Sequence, residues 1–187
     1  MIEEHNSYYR PNWDDYFMAI TRIVATRSTC DRLRAGAVLV KDNRIISTGY
    51  NGSPSGQSHC DGPAGHLMEE GHCVRTIHAE HNAILQAAIV PGMSTEGATL
   101  YAKYSFCIHC TKYVIAAKIK RVVVAKVYRN YQVTDILKQA GIQVDIYQEN
   151  PEWDAVVRQL FENGIEEKIA KEGDIKLEGF NTPLATL

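Results

Sequence analysis

Two short segments carry side chains that could hold a metal ion and run a hydrolysis. His78-Ala79-Glu80 places an imidazole and a carboxylate two residues apart at a predicted helix start. Cys107-Ile108-His109-Cys110 places two thiols on the first turn of a second predicted helix. His78 and the two cysteines are three ligands for a tetrahedral zinc ion, whose fourth position stays open for water, as in catalytic zinc sites.

Glu80 directs this arrangement toward a deamination. Zinc lowers the pKa of a bound water to about 7, but deamination also needs a group that takes a proton and returns it to the ring nitrogen and the leaving amine. A carboxylate two residues from a ligand can do this without binding the metal. His-x-Glu followed by Cys-x-x-Cys is the known signature of zinc deaminases. Helices that begin at the metal would further favour thiolate and hydroxide there.

Two other interpretations of the cysteine motif remain open. A single Cys-x-x-Cys in an α/β chain is also typical of a redox pair, and a structural zinc ribbon can begin in the same way. A ribbon usually has a second Cys-x-x-Cys, which the sequence lacks, and a redox pair gives no role to His78 or Glu80. Both motifs together therefore favour the catalytic site.

Composition narrows the class of protein. The 187 residues carry a net charge of -2 and a pI near 6.4, which argues against a nucleic-acid polymer as partner and favours a small-molecule substrate. The sequence has no apolar run of about 18 residues and begins with an acidic segment, so we expect neither a membrane span nor a secretory signal. We expect a cytoplasmic protein with a single domain over 1–187 and its core over about 12–150.

The predicted elements alternate between helix and strand. Helices are predicted over about 12–27, 78–90, 107–118, 132–140 and 151–170. Strands are predicted over 36–40, 44–50, 98–104, 121–125 and 143–147, the first two as a hairpin. This order indicates an α/β fold with helices on the sheet. The tail over 172–187 is weakly periodic and could be disordered or dock on another subunit.

Residues 51–76 are the one long stretch without periodicity, and a loop of this length is usually functional or held locally. It has little apolar material, but it contains two cysteines and three histidines, namely His59, Cys60, His66, His72 and Cys73. Cys30 could reach the loop. The chain has five cysteines in an expected reducing compartment, so we predict a metal clip here rather than disulfides.

The chain resembles the cytidine deaminase superfamily and, within it, the deoxycytidylate (dCMP) deaminases of bacteria and phages. Beyond the zinc motifs, the resemblance rests on three segments: Ser28-Thr29-Cys30 before Gly36-Ala37, Gly49-Tyr50-Asn51-Gly52-Ser53-Pro54, and His72-Cys73-Val74-Arg75-Thr76-Ile77 leading into His78. The last is also similar to the late competence operon proteins that carry this domain. The resemblance implies a three-layer α-β-α fold with a five-stranded mixed sheet.

The resemblance also implies roles for individual residues. It makes His78, Cys107 and Cys110 the zinc ligands and Glu80 the proton shuttle. It assigns substrate binding to Asn51 (sugar hydroxyl), Tyr128 (pyrimidine), Ala79, and Arg34 (5′-phosphate). Asn51 could instead be a turn residue, and Arg32 or Lys112 could replace Arg34. Phe106 departs from the family pattern, which has proline before the first thiol, so its effect is on rigidity or pocket lining.

Some phage relatives carry an additional zinc near the long loop. By this resemblance we expect a second, structural zinc held by Cys30, Cys60, His72 and Cys73, with His59 or His66 as alternative ligands. Free thiols and a buried Cys30 are the remaining alternative.

The implied reaction is hydrolytic deamination of dCMP to dUMP and ammonia, which feeds dTMP synthesis. Alternatives are another cytosine nucleotide, such as dCTP or a modified dCMP, and a non-catalytic zinc module of the competence type. Family members are often homo-hexamers activated by dCTP with Mg²⁺ and inhibited by dTTP. An effector site near 49–54 is therefore expected as well.

Overall fold

The computed structural model describes residues 10–126 and 132–163. The helices in these ranges are α1 (Trp13–Ala25), α2 (Ala79–Ala88), α3 (Ile108–Ala116), α4 (Gln132–Gln139) and α5 (Pro151–Asn163). The strands are β1 (Gly36–Lys41), β2 (Arg44–Tyr50), β3 (Met68–Glu69), β4 (His72–Cys73), β5 (Thr99–Tyr104), β6 (Arg121–Lys126) and β7 (Gln143–Ile146). None of the helices in the described ranges is long and apolar enough to cross a membrane.

Five strands form one mixed sheet in the order β2-β1-β5-β6-β7. Strand β1 is antiparallel to β2 and β5, whereas β5, β6 and β7 are parallel to one another. Helix α1 covers one face through Phe17 and Met18. Helices α2, α3 and α4 cover the other face through Ala83, Val114 and Leu137. The predicted three-layer α-β-α fold with a five-stranded mixed sheet is confirmed.

Local signals in the sequence explain the first elements. The side chain of Asn12 accepts a hydrogen bond from the Asp15 N–H at 2.8 Å and so caps α1. Asp42 and Asn43 both take positive φ angles, 51° and 56°. Such a pair makes the tight hairpin turn that joins twisted strands, and Asp and Asn tolerate it because their short side chains fit the left-handed region.

The segment over 51–76 contains a small hairpin that the sequence did not predict. Strands β3 and β4 pair antiparallel around Glu70 (φ 47°) and Gly71 (φ 78°). Each strand has two residues, and three of the four are exposed. Strands this short and exposed leave no alternation of apolar and polar residues in the sequence.

The unit that carries the sheet extends to Asn150, and a second unit begins at Pro151, where α5 starts. The helix predicted over about 151–170 is present from Pro151 to Asn163. Residues 164–187, including the predicted tail, lie outside the described residues. The assignment of the whole chain to one domain stays a prediction.

Candidate metal centre and active site

Helix α2 is held tightly against β2, and this contact positions His78 and Glu80. A Cβ atom added at Gly49 would overlap the backbone of Ala79 and Ala83, so only glycine allows this close approach. Two hydrogen bonds join the same elements: Ser47 Oγ donates to the Ala83 carbonyl at 2.7 Å, and Asn82 Nδ2 donates to the Tyr50 carbonyl at 3.0 Å. The first turn of α2 therefore has a fixed position relative to the sheet.

Helix α3 brings in the two thiols from the carboxyl end of β5. Cys107 is the N-cap residue, and its Sγ accepts a hydrogen bond from the Cys110 N–H at 3.4 Å. Thr111 Oγ1 donates to the Cys107 carbonyl at 2.9 Å. Phe106, in place of the family's proline, is 2% exposed and packs in the core cluster that also contains Cys110 and Val114. Apolar packing therefore anchors the start of α3.

The three predicted zinc ligands come together with the right spacing. His78 Nδ1 lies 3.4 Å from both Cys107 Sγ and Cys110 Sγ. Tetrahedral zinc with bonds of about 2.3 Å to sulfur and 2.05 Å to nitrogen requires a separation of about 3.5 Å. Within the described part of the chain, no fourth histidine, cysteine or carboxylate joins this group. The geometry fits a zinc ion with one coordination position left for water.

The electrostatics of the site favour the ionised form of one of its two thiols, because the hydrogen bond between them lowers the pKa of Cys107 and raises that of Cys110. Hydrogen bonding to the Cys110 thiol and to His78 lowers the pKa of the Cys107 thiol to about 3, against an opposing effect of burial. The start of α3 adds the positive end of its helix dipole. Cys107 is thus disposed to be the thiolate that a metal requires.

Glu80 lies in the first turn of α2 and is 5% exposed. Burial raises the pKa of its carboxyl group, which its own backbone N–H and His78 partly oppose. A buried carboxyl group with a raised pKa is a stronger base than an exposed one. Glu80 is not among the three grouped ligands, so it remains available for proton transfer.

Asn51 fixes the loop over 28–35 through both ends of its side chain. Its Oδ1 accepts a hydrogen bond from the Ala35 N–H at 2.8 Å, and its Nδ2 donates to the Leu33 carbonyl at 2.7 Å. Its own carbonyl accepts from Ser28 Oγ at 3.0 Å. The alternative to sugar binding was a turn residue before Gly52, whereas the observed bonds hold the loop over 28–35. The amide oxygen can accept, and the amide nitrogen can donate, one more hydrogen bond each. These contacts therefore leave room for a sugar hydroxyl, and the sugar contact stays a prediction.

The other predicted substrate residues occupy different environments. Ala79 is fully buried between His78 and Glu80. Arg34 is exposed, and its carbonyl accepts a hydrogen bond from Lys103 Nζ at 3.1 Å. Tyr128 lies outside the described residues. The two alternatives to Arg34 are also exposed, Arg32 with a guanidinium nitrogen 3.1 Å from Met68 Sδ and Lys112 on α3.

A second group of ligand atoms links Cys30 to the long loop. Cys30, Cys60 and His66 place their ligand atoms within 4.8 Å of one another, and Cys60 Sγ lies 3.6 Å from Cys73 Sγ. Sulfurs on one tetrahedral zinc are about 3.75 Å apart. His66 Nε2 lies 2.8 Å from Asp31 Oδ1, while its buried Nδ1 has no hydrogen-bond partner. In metal sites, the histidine nitrogen that does not bind the metal is usually hydrogen-bonded to a carboxylate or a carbonyl, which orients the ring.

His72 does not join this group, contrary to the expected ligand set. It is exposed, and it adjoins Cys73 in β4. Neighbouring residues of a strand point to opposite faces, so His72 and Cys73 cannot easily turn toward one metal ion. His66, named as an alternative from the sequence, is the histidine grouped with Cys30 and Cys60. No local pattern in the sequence selects His66 over His72, because the hairpin that orients Cys73 leaves no signal there.

Comparison with known proteins identifies the class. The family model described as "Cytidine and deoxycytidylate deaminase zinc-binding region" matches residues 11–126, a span that includes both zinc motifs. The chain therefore belongs to this family of zinc-binding deaminases, enzymes that hydrolyse C–N bonds, and the predicted resemblance is confirmed.

Three individual proteins show how similar the chain is to particular members of the family. The chain is 46% identical over 137 residues to ComE operon protein 2 of Bacillus subtilis, covering 73% of this chain and 71% of that protein. It is 36% identical over 145 residues to the deoxycytidylate deaminase of Saccharomyces cerevisiae, covering 72% of this chain but only 45% of that protein. The dCMP deaminase of cyanophage S-TIM5, solved in complex with dCMP and dUMP, has a TM-score of 0.66 at 29% identity and covers 75% of this chain and 100% of that chain.

Proposed function

We propose that this chain hydrolyses dCMP to dUMP and ammonia with a zinc ion held by His78, Cys107 and Cys110. The observation that carries the proposal is the 3.4 Å spacing of the imidazole nitrogen from both sulfurs, beside the buried carboxyl group of Glu80. Binding of dCMP and dUMP by the cyanophage relative supports the choice of substrate.

In this proposal Glu80 moves the protons. Zinc, when bound, supplies the Lewis acidity that makes water a nucleophile near neutral pH. Glu80 takes a proton from the attacking water, delivers it to the pyrimidine ring nitrogen and transfers a proton to the leaving amino group. Burial favours this role because it raises the pKa of the carboxyl group above its ordinary value, which makes the carboxylate a stronger base.

Substrate recognition is assigned to four residues, of which Arg34 lies in the loop over 28–35 that Asn51 holds. We assign the sugar hydroxyl to Asn51, the base to Ala79 and Tyr128, and the 5′-phosphate to Arg34. Support for Arg34 comes from its exposed position one residue before Ala35, whose N–H is bonded to Asn51. An exposed guanidinium can bind a phosphate without the cost of burying its own charge.

A non-catalytic competence module is the second candidate, favoured by the 46% identity to ComE operon protein 2. A module that only binds has no use for a buried carboxyl group beside an open metal position. Ammonia release from dCMP, dCTP, deoxycytidine and cytidine, measured with zinc-loaded protein, separates the candidates. Turnover of dCMP above the others supports the proposal, and no turnover of any substrate supports the module.

We also propose a second, structural zinc at Cys30, Cys60, Cys73 and His66, with Asp31 orienting the imidazole. The 3.6 Å sulfur separation and the buried Nδ1 of His66 support it. Metal analysis of the wild type should give two zinc ions per chain, in agreement with the two ligand groups. Replacement of His66 by Gln should leave one, whereas the matched change His72→Gln should leave two. One zinc in the wild type would contradict the second site.

Several further properties of family members are also proposed for this chain. They comprise a homo-hexamer, a cytoplasmic location, a contribution to dTMP synthesis, and activation by dCTP with Mg²⁺ and inhibition by dTTP at a site near 49–54. The burial of Asn51 and Gly52 supports an ordered turn at that position. Light scattering for the mass and initial rates with each effector test the assembly and the regulation separately.

A further inference from the structure

Cys60 and Cys73 are placed to react with each other. Their sulfurs are 3.6 Å apart, and a disulfide bond of about 2.05 Å requires a movement of roughly 1.5 Å. Cys60 is 3% exposed, whereas Cys73 is partly accessible. Cys73 belongs to a hairpin of two-residue strands with little buried surface, and such elements open at small free-energy cost.

We infer that Cys60 and Cys73 form a reversible disulfide bond with each other. The oxidant is a small disulfide, such as oxidised glutathione. The Cys73 sulfur attacks one sulfur of the small disulfide, forming a mixed disulfide and releasing one small thiolate. Cys60 then attacks the Cys73 sulfur, losing its proton and releasing the second small thiolate. The protein loses two electrons and two protons, and the small disulfide becomes two thiols.

This bond and the proposed second metal exclude each other, because thiolates bind zinc and disulfide sulfurs do not. Two sulfurs about 2.05 Å apart also cannot occupy separate corners of a tetrahedral site. Oxidation would therefore release the metal from Cys30 and His66. The pair thus senses whether the surroundings are oxidising.

The same pair is connected to the substrate loop. The Asp61 N–H, next to Cys60, donates to the Thr29 carbonyl at 3.4 Å, and Thr29 N–H donates to the Asn51 carbonyl at 3.3 Å. Cys30 adjoins Thr29 in the loop that carries Arg34. Release of Cys30 from a metal would loosen this loop, so we expect a higher KM for dCMP. The change in KM rests on the proposed deamination and the zinc release on the proposed second site, whereas the disulfide bond depends on neither.

The test treats the zinc-loaded full chain with excess oxidised glutathione and maps its cysteine peptides by mass spectrometry. The inference predicts a peptide linking Cys60 to Cys73, release of one zinc equivalent, and reversal by dithiothreitol. It also predicts a rise in KM of about fivefold or more. Ser58→Ala, an exposed change two residues from Cys60, should behave like the wild type.

Two variants make the result decisive. Cys60→Ser and Cys73→Ser should each lose the linked peptide and the glutathione-dependent change in KM. An unlinked pair under excess oxidant, or a first disulfide at Cys107 and Cys110 instead, would overturn the inference. A linked pair without zinc release would keep the disulfide and refute the second zinc. A linked pair in a chain that deaminates nothing would refute the proposed function and leave the disulfide standing.

Discussion

Replacing Gly49 by alanine tests how the sheet positions the site. The new Cβ would overlap the backbone of Ala79 and Ala83, which no rotamer change can relieve. Strand β2 and helix α2 must move apart, and overpacking of this kind costs about 1–3 kcal/mol. For a domain of this size we expect the melting temperature to fall by roughly 2–12 °C. Because α2 begins beside His78, zinc affinity should fall as well.

Two glycines provide matched controls. Gly62→Ala adds a Cβ with only an ordinary 3.5 Å contact to the His59 carbonyl, so its melting temperature should match the wild type. Gly36→Ala clashes with Thr21 and Ala25 of α1, on the other face of the sheet, so it should destabilise the fold while the zinc affinity of the folded protein stays unchanged. Thermal unfolding and competition with a chelator give the two quantities. A Gly49→Ala protein within about 1 °C of the wild type would refute the reasoning.

Three further predictions concern other parts of the chain. Replacing Asn51 by Ala leaves the Ala35 N–H and the Leu33 carbonyl without their partner, so denaturant unfolding should show a loss of about 2–4 kcal/mol. Asn51→Asp should lose at least as much, because its second carboxylate oxygen would face the Leu33 carbonyl and its charge would be buried. Arg34→Gln should raise KM for dCMP but not for deoxycytidine. An equal change for both substrates would show that Arg34 does not bind the phosphate. The hydrogen bonds to Arg121 lower the pKa of Asp14 from 3.8, so its carboxylate stabilises the fold above about pH 4 and loses this effect as pH falls through the lowered pKa. Asp14→Asn should therefore cost about 1 kcal/mol near neutral pH and progressively less in acid; a difference that does not depend on pH would contradict this.

The grouping of the candidate metal ligands His78, Cys107 and Cys110 could be predicted from the sequence because its signals are local. Each motif stands at the start of a helix, and helical spacing then places Cys107 and Cys110 on one side of the first turn. Alternation of helix and strand similarly determined the fold class, and the turn residues Asp42 and Asn43 located the first hairpin. Only the meeting of the two motifs required the tertiary structure.

The parts that the sequence missed depend on contacts between distant residues. Arg121 bonds Asp14 with two nitrogens, at 2.8 and 2.7 Å, and Asp145 with a third at 2.6 Å. These partners lie 107 and 24 positions away, so no local pattern indicates them. The grouping of His66, rather than His72, with Cys30 and Cys60 likewise depends on how the loop over 51–76 folds. Nothing in the sequence around Gly49 indicates that helix α2 packs against this residue.

The most direct test of the central claim is the turnover of dCMP by zinc-loaded Glu80→Gln. The amide keeps the shape of the buried side chain but cannot accept a proton from the attacking water. Metal analysis should show that the variant keeps the zinc at His78, Cys107 and Cys110, while kcat falls by about 10²- to 10⁴-fold. A zinc-replete variant that releases ammonia from dCMP within a few-fold of the wild-type rate would contradict the assignment of proton transfer to Glu80.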